Sequence, residues 1–234
     1  MTETPVGRST GESATGGGRP GGLGGSAVLT AVAVSKSFRD GYLVRRGKAV
    51  LVDAALSLQP GEVVGLVGEN GSGKTTFMRI LVGDLSPDAG AVVRHGVIGY
   101  CPQQPQVYPR LTCDEHFDLF GAAYRLTTSQ VRDSRANIYA ALGFERYARV
   151  RTDRLSGGTL AKLNLGLALL PDPPVLLLDE PYAGFDWDTY QRFWRLVVDR
   201  RARGLSVLIV SHFVEDAARF DRIVEVREGR TWSR

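Results

Sequence analysis

Eight consecutive residues, from Gly68 to Thr75, have the composition of a loop that wraps around a polyphosphate. They are Gly-Glu-Asn-Gly-Ser-Gly-Lys-Thr and fit the spacing G-x-x-x-x-G-K-[ST]. Glycines let the backbone approach phosphates closely and turn its N–H groups toward them. In this pattern Lys74 reaches the β- and γ-phosphates, and the Thr75 hydroxyl ligates Mg²⁺. The plainer alternative, a glycine-rich turn without a ligand, is disfavoured by the strand and helix patterns on either side.

Two carboxylates, Asp179 and Glu180, follow the apolar run Val175–Leu178 and precede Pro181. Ligands of open α/β sheets bind outside the carboxyl ends of the strands. We therefore expect Asp179 to hold Mg²⁺, through water, and Glu180 to act as a general base on an attacking water. Solvated acids at an ordinary strand-to-loop turn are the alternative, and the phosphate loop in the same chain weakens it.

The elements that must position these residues are indicated by hydrophobic patterns. Val63–Val67, just before the phosphate loop, is a continuous apolar run typical of a strand buried on both faces. The residues after Thr75 predict a helix whose positive N-terminal end faces the phosphates. Further strands are predicted at Val97–Tyr100, Val175–Leu178, Val207–Val210 and Ile223–Val226.

Helical patterns lie between these runs. Val131, Ile138 and Leu142 share one face of a helix that ends at Gly143, where a left-handed cap is expected. Another helix is indicated by apolar residues at positions i, i+3, i+4 and i+7, namely Tyr190, Phe193, Trp194 and Val197. Strands that alternate with helices predict an α/β domain with a mostly parallel sheet.

The composition agrees with a globular domain. Among 234 residues, 29 are basic and 25 acidic, which gives a net charge of +4, and 43% are hydrophobic. These values exclude a collagen, a wholly disordered chain and a disulfide scaffold. The two cysteines, Cys101 and Cys113, fit a reducing compartment. Residues 1–26 are rich in glycine and are expected to form a disordered tail, so the folded domain is predicted to span 27–234.

The segment between the phosphate loop and the acidic strand end contains Leu155-Ser156-Gly157-Gly158. With it, the chain resembles the ATP-binding cassette (ABC) ATPases, the nucleotide-binding domains of ABC transporters, from about Ala27 to Gly229. Five motifs occur in that family's order: the P-loop, a glutamine after a strand, Leu-Ser-Gly-Gly, the acidic strand end and a histidine after a strand. The resemblance implies an α/β P-loop NTPase core with a mostly parallel sheet, an antiparallel β part near the N-terminus, and an inserted helical subdomain at about 105–170.

The resemblance also implies two groups of nucleotide contacts. The signature motif, Leu155 to Gly158, would bind the γ-phosphate of an ATP held by a second protomer, through Ser156 and the N–H groups of Gly157 and Gly158. The ATP held by the chain itself would contact Gly68, Glu69, Asn70, Gly71, Ser72, Gly73, Lys74, Thr75 and Thr76.

Further roles follow from the same resemblance. Gln103, with Gln104 as the neighbouring possibility, would be the Q-loop residue that senses Mg²⁺ and the attacking water. His212 would be the switch histidine that contacts the γ-phosphate. Together with Lys74 and Glu180, these two residues would form the catalytic set.

The remaining candidate positions match the family's motifs less closely. Phe38 is the candidate for the aromatic that stacks on adenine, Tyr42 is possible, and packing in the core is an equal alternative for Phe38. Asp186 resembles the D-loop aspartate. Thr159 and Lys162 depart from the family, which usually has Gln, Met or Glu and then Arg, and these departures could weaken the coupling of the signature motif to nucleotide.

The resemblance implies the ATP-hydrolysing subunit of an ABC transporter. It would use ATP and Mg²⁺, dimerise head to tail as a homodimer or heterodimer, and drive a separate integral membrane permease, with a slight lean toward export. We expect a cytoplasmic location, peripheral on the inner face of the cell membrane, and no nucleic-acid partner. The alternative is a soluble ABC ATPase that acts on nucleic acid or an assembly complex, which the lack of a coiled-coil insertion and of a second cassette disfavours. A P-loop kinase or GTPase is disfavoured by the lack of an Asn-Lys-x-Asp motif.

Overall fold

The structure, a computed structural model, describes residues 27–39, 47–211 and 214–233. The strands are β1 (Leu29–Arg39), β2 (Gly47–Leu58), β3 (Val63–Val67), β4 (Ala89–Arg94), β5 (Ile98–Cys101), β6 (Val175–Asp179), β7 (Ser206–Val210), β8 (Arg222–Arg227) and β9 (Arg230–Ser233). The α-helices are α1 (Lys74–Val82), α2 (Cys113–Ala123), α3 (Thr128–Leu142), α4 (Gly157–Leu169) and α5 (Trp187–Arg201). Short 3-10 turns cover Glu145–Tyr147, Thr152–Arg154 and Val214–Arg219.

A six-stranded sheet with the order β5-β6-β7-β3-β8-β9 forms the centre of the fold. Its neighbours pair in parallel from β5 to β8, and β9 adds an antiparallel hairpin to β8. Each apolar run predicted as a strand lies in this sheet. The prediction of an α/β P-loop fold with a mostly parallel sheet is confirmed.

A smaller antiparallel sheet, with the order β2-β1-β4, covers one side of the molecule and confirms the antiparallel part near the N-terminus. Its central strand changes register between Ala31 and Val34, where Ala33 has a φ of 49°. Opposite this irregularity, a Cβ on Gly90 of β4 would lie 2.3 Å from the Ala33 carbonyl oxygen. The bulge therefore bends β1 and requires glycine at its partner.

The central sheet is the middle layer of three. Alternate residues of a strand point to opposite faces, and Leu176 and Leu178 of β6 belong to a hydrophobic cluster with helices α2–α5. Val175 and Leu177 of the same strand belong to a second cluster with α1 and the three-stranded sheet. Because both faces are buried, these strands are apolar at successive positions rather than at alternate ones.

Helices and 3-10 turns make up most of the segment from 105 to 170, as its lack of strand character predicts. α2 and α3 each begin with a capping box, formed by Thr112 with Glu115 and by Thr127 with Gln130. α3 ends at Gly143, which has the left-handed φ of 68° expected of a cap. α4 packs on β5 of the central sheet, so the last helix of this segment is also part of the core layer. The division of the chain into a core and a helical subdomain stays a prediction.

The helices of the described residues are all too short or too polar to cross a lipid bilayer.

α4 and the central sheet approach each other closely at Gly99. A Cβ at this position of β5 would lie 2.2 Å from the carbonyl oxygen of Ala168 and 2.8 Å from Cγ of Pro173. Since a backbone carbonyl cannot rotate away, we predict that Gly99→Ala forces α4 off the sheet and lowers the free energy of unfolding by about 3 kcal/mol. Chemical denaturation measures this loss.

Gly157→Ala is the matched control, because a Cβ there meets no atom within 4 Å. We expect it to change the free energy of unfolding by less than about 0.5 kcal/mol. Equal stability of the two variants would contradict the close approach of α4 to β5.

Candidate functional site

The phosphate loop joins β3 to α1 and is held closely by the strands around it. Gly68 has a φ of 149°, and a Cβ there would lie 2.3 Å from the Val226 carbonyl oxygen. Gly73, the N-cap of α1, has a φ of 107°, and its Cβ would lie 2.9 Å from the Val50 carbonyl oxygen. Both positions therefore require glycine, as the motif predicts.

Lys74 lies inside this loop. Its side chain is buried, and its Nζ donates hydrogen bonds to the carbonyl oxygens of Gly68 at 2.8 Å and Glu69 at 3.0 Å. Burial lowers the pKa of Lys74, while the carboxylates of Glu180 and Asp179 act to raise it. The ammonium group thus lies within electrostatic range of both acidic residues.

The acidic pair stands at the carboxyl edge of the central sheet. Asp179 is the buried last residue of β6 and pairs with Val210 of β7, which in turn pairs with Leu66 of β3. The aspartate therefore lies level with the start of the phosphate loop, two strands away. Thr75 is exposed in the first turn of α1, and α1 contacts β6.

Glu180 has an unusual backbone conformation. Its φ is 52°, in the left-handed region that a non-glycine residue seldom adopts, and its N–H donates to the Val210 carbonyl oxygen at 3.2 Å. The bond to β7 holds the residue while the chain turns out of the sheet into Pro181 and Tyr182. Such strain persists only where the surroundings fix it, and it is concentrated at functional sites.

Gln103 follows β5 at the same edge of the sheet. β5 is the neighbour of β6, with Cys101 in register with Leu178, so the glutamine begins one strand away from Asp179. The side chains of Gln103 and Gln104 are both exposed, and the structure leaves the choice between them open. The residue that sequence analysis missed is Asn164 of α4, whose amide donates to the Pro102 carbonyl oxygen immediately before Gln103.

The signature residues begin α4. Ser156 is its N-cap, and its Oγ accepts a hydrogen bond from the Thr159 N–H at 3.3 Å and lies 3.0 Å from the Thr159 Oγ1. Ser156 and Gly157 are exposed, which leaves the positive end of the helix open to solvent. Thr159, which departs from the family pattern, is buried and orients the Ser156 hydroxyl, a contact that the sequence alone does not indicate.

The D-loop residue lies beside the signature motif. A Cβ on Gly158 would lie 2.8 Å from the Gly184 carbonyl oxygen, two residues before Asp186. Asp186 is the N-cap of α5 and accepts the Thr189 N–H at 2.8 Å. Hydrogen bonds from the side chain and backbone of Thr189 lower the pKa of Asp186. The aspartate thus has a capping role, and its D-loop role stays a prediction.

Of the remaining candidates, Phe38 belongs to the smaller sheet, and the others lie outside the described residues. Phe38 is exposed near the end of β1, with the Lys36 Nζ 5.8 Å from its ring centre, so packing in the core is excluded and the stacking role stays a prediction. His212 and Tyr42 lie outside the described residues. Ser211, just before the histidine, is buried at the end of β7.

The donor atoms at the sheet edge fit a magnesium ion that is bound together with a triphosphate. Clusters of three or more His, Cys, Asp or Glu side chains that could hold a metal do not occur in ranges 27–39, 47–211 and 214–233. The hard oxygens of Asp179 and Thr75 suit Mg²⁺, which takes few protein ligands and completes its shell with water and substrate phosphates. The buried Ser72 Oγ, which has no hydrogen-bond partner in the described part of the chain, adds a polar atom for phosphate oxygens.

Comparisons with known proteins agree with this arrangement. The family model described as ABC transporter matches residues 51–183. The Nod factor export ATP-binding protein I of Paraburkholderia xenovorans is 34% identical over 198 residues, which cover 79% of this chain and 65% of that protein. The cholesterol transporter ABCA5 of Homo sapiens is 31% identical over 208 residues, which cover 82% of this chain and 13% of that protein. The chain thus spans less than two thirds of either relative.

Solved structures with the same fold include an ATP-binding subunit of an ABC transporter, with a TM-score of 0.78 and 27% identity over 87% of this chain and 88% of that one. A dimeric bacterial ABC transporter cassette has a TM-score of 0.79 and 25% identity over 87% of this chain and 96% of that one.

The two cysteines near this site supply a test of its packing. Cys101 ends β5 and Cys113 begins α2, and both thiols are buried. Burial raises the pKa of both, that of Cys113 to about 11. At about pH 8 the Cys113 thiol is therefore ionised in about one molecule in a thousand. We predict that Ellman's reagent modifies neither thiol quickly in the native protein and both in guanidinium chloride.

Raising the pH toward 11 increases the thiolate fraction of Cys113, so its labelling should quicken while the fold persists. Variants with Cys101→Ser or Cys113→Ser assign the signal to one thiol. Rapid labelling of either cysteine in the native protein at about pH 8 would contradict the packing of β5 and α2 described above.

Proposed function

Because this chain belongs to the ABC transporter family, we propose that it is the ATP-hydrolysing subunit of a transporter and drives a separate membrane permease through ATP-dependent dimerisation. The match of the family model and the dimeric bacterial cassette of the same fold support this proposal. The relative from Paraburkholderia is an export protein by name, which supports the lean toward export.

One observation carries the catalytic part of the proposal. Lys74, Asp179 and Glu180 come from two elements, α1 and the end of β6, and are close enough for the two carboxylates to act on the pKa of the lysine. In this arrangement the cation would bind phosphates and the acids would hold a metal and activate a water, which are the components that phosphoryl transfer needs. Catalysis of this kind depends mainly on positioning and electrostatics.

Binding begins at the phosphate loop. Lys74 exchanges its two hydrogen bonds to loop carbonyls for bonds to the β- and γ-phosphates, and the backbone N–H groups of the loop bind the same phosphates. Asp179 and Thr75 would hold Mg²⁺, which would neutralise phosphate charge. Exposed Phe38 supplies a ring face on which adenine stacks.

Hydrolysis requires a water in line with the γ-phosphate. Glu180 accepts a proton from this water, and its fixed backbone keeps the carboxylate at the edge of the sheet. Gln103 and His212 orient the water and the γ-phosphate. Ser156 and the N–H groups of Gly157 and Gly158, exposed at the start of α4, close over the nucleotide of a second copy of the chain.

The permease contact is proposed on the surface that follows Gln103. A groove of about 410 Å³ there has a mixed lining, with the apolar side chains of Val82, Phe120 and Leu167 beside the polar ones of Asp84, Gln106 and Asn164. Tyr108, in the loop before α2, has 58% of its surface exposed. A groove of this kind beside Gln103 suits an amphipathic helix of a membrane partner, since docking there would reach the catalytic edge directly.

Glu180→Gln tests the catalytic assignment. The amide keeps the size of the carboxylate but cannot accept the proton, so we expect ATP turnover to fall by about a thousandfold while ATP still binds. Phosphate release measures turnover, and a fluorescent ATP analogue measures binding. Because ATP would then persist at the interface, the variant should also sediment as a dimer when ATP and Mg²⁺ are present.

Glu145→Gln, in the exposed 3-10 turn after α3, is the matched control and should leave turnover unchanged. Near-normal turnover by Glu180→Gln would refute the role of Glu180 as the base. A wild-type protein that neither binds nor hydrolyses ATP would refute the proposed function itself.

A further inference from the structure

A buried asparagine connects α4 to the segment that carries Gln103. Asn164 lies two turns into α4 and is 7% exposed. Its Nδ2 donates to the carbonyl oxygen of Pro102 at 2.8 Å and to the Sγ of Cys101 at 3.2 Å. Each of the two amide hydrogens therefore has one acceptor, and the acceptors belong to the two residues before Gln103.

This polar side chain stands in an otherwise apolar stretch. The neighbours of Asn164 on α4, from Leu163 to Leu169, are buried hydrophobic residues or glycine. A buried amide lowers stability unless its hydrogen bonds are made, and an aliphatic side chain at the same place would not have this requirement. The residue type is therefore explained by what it binds rather than by core packing.

α4 contacts β5 at a second place, one helical turn after Asn164. The carbonyl oxygen of Ala168 lies against Gly99 so closely that no Cβ fits between them. Asn164 and Ala168 are four residues apart on the helix, while Cys101 and Gly99 are two residues apart on the strand, so α4 runs antiparallel along β5. The two contacts hold the helix and the end of the strand together as one unit.

The same helix begins with the signature motif. Ser156 caps α4 eight residues before Asn164. The motif that contacts a partner's nucleotide and the glutamine that senses the chain's own nucleotide are therefore attached to one rigid helix. We propose that Asn164 is a positioning residue, which transmits movements of the signature helix to Gln103 through the Pro102 carbonyl. This inference rests on the proposed function, because Gln103 acts only in a nucleotide site.

Asn164→Leu tests the inference, because it preserves much of the side-chain volume and removes both donors. We expect kcat for ATP hydrolysis to fall by about tenfold as Gln103 loses its position. KM for ATP should change by less than about twofold, because Lys74 and the phosphate loop are unaltered. Asn137→Leu, an exposed position on α3, is the matched control and should match the wild type.

A double-mutant cycle separates positioning from general damage. In a Gln103→Ala background, Asn164→Leu should have no further effect on kcat, since the residue through which it acts has been removed. A loss of folding would lower activity in both backgrounds. Equal effects of Asn164→Leu with and without Gln103, or a wild-type kcat for the single variant, would overturn the proposal.

Hydrogen exchange supplies a readout that does not depend on activity. The backbone amides of Gln103, Gln104, Gln106 and Val107 should exchange faster in Asn164→Leu than in the wild type or in Asn137→Leu, because the Pro102 carbonyl is released from α4. Unchanged exchange in this segment would overturn the proposal. If the wild-type protein hydrolysed no ATP, the proposed function would fail, and this measurement would still decide whether Asn164 restrains the Gln103 segment.

Discussion

The parallel pairing of β6, β7 and β3 is the constraint on which the rest of the site depends. Hydrogen bonds between these strands fix Asp179, Val210 and Leu66 at one level. Every element that leaves this edge, the phosphate loop included, must therefore start within a few ångströms of the same plane. The phosphate loop and Asp179 therefore lie at the same edge of the sheet, although Leu66 and Asp179 are more than a hundred positions apart in the chain.

The burial of charged side chains is a second constraint on the site. The central strands are covered on both faces, so the carboxylate of Asp179 and the ammonium of Lys74 are in a medium that penalises charge. Each group offsets part of the other's cost, and loop carbonyls bind the lysine. The same exclusion of water strengthens every electrostatic contact with a phosphate group that enters the loop.

Much of the fold could be predicted from continuous apolar runs, since a strand that is buried on both faces has apolar residues at successive positions. β4 and β9 were not predicted, because their side chains are largely exposed and show no such run. Motif spacing was sufficient to place Lys74 and Asp179 together. It gave no sign of the left-handed backbone of Glu180 or of the amide of Asn164, because both depend on tertiary contacts with β7 and β5.

The hydrogen bonds between Lys74 and its own loop have a consequence for which nucleotides the protein accepts. These bonds hold the Lys74 side chain inside the loop until phosphate oxygens replace them, so the side chain is already ordered and little ordering entropy is lost on association. In the proposed function the loop contacts only phosphate oxygens, which are the same in every nucleoside triphosphate. Discrimination between purine and pyrimidine, or between adenine and guanine, must then come from surfaces outside the loop, where a ring such as Phe38 favours stacking but reads no base edge.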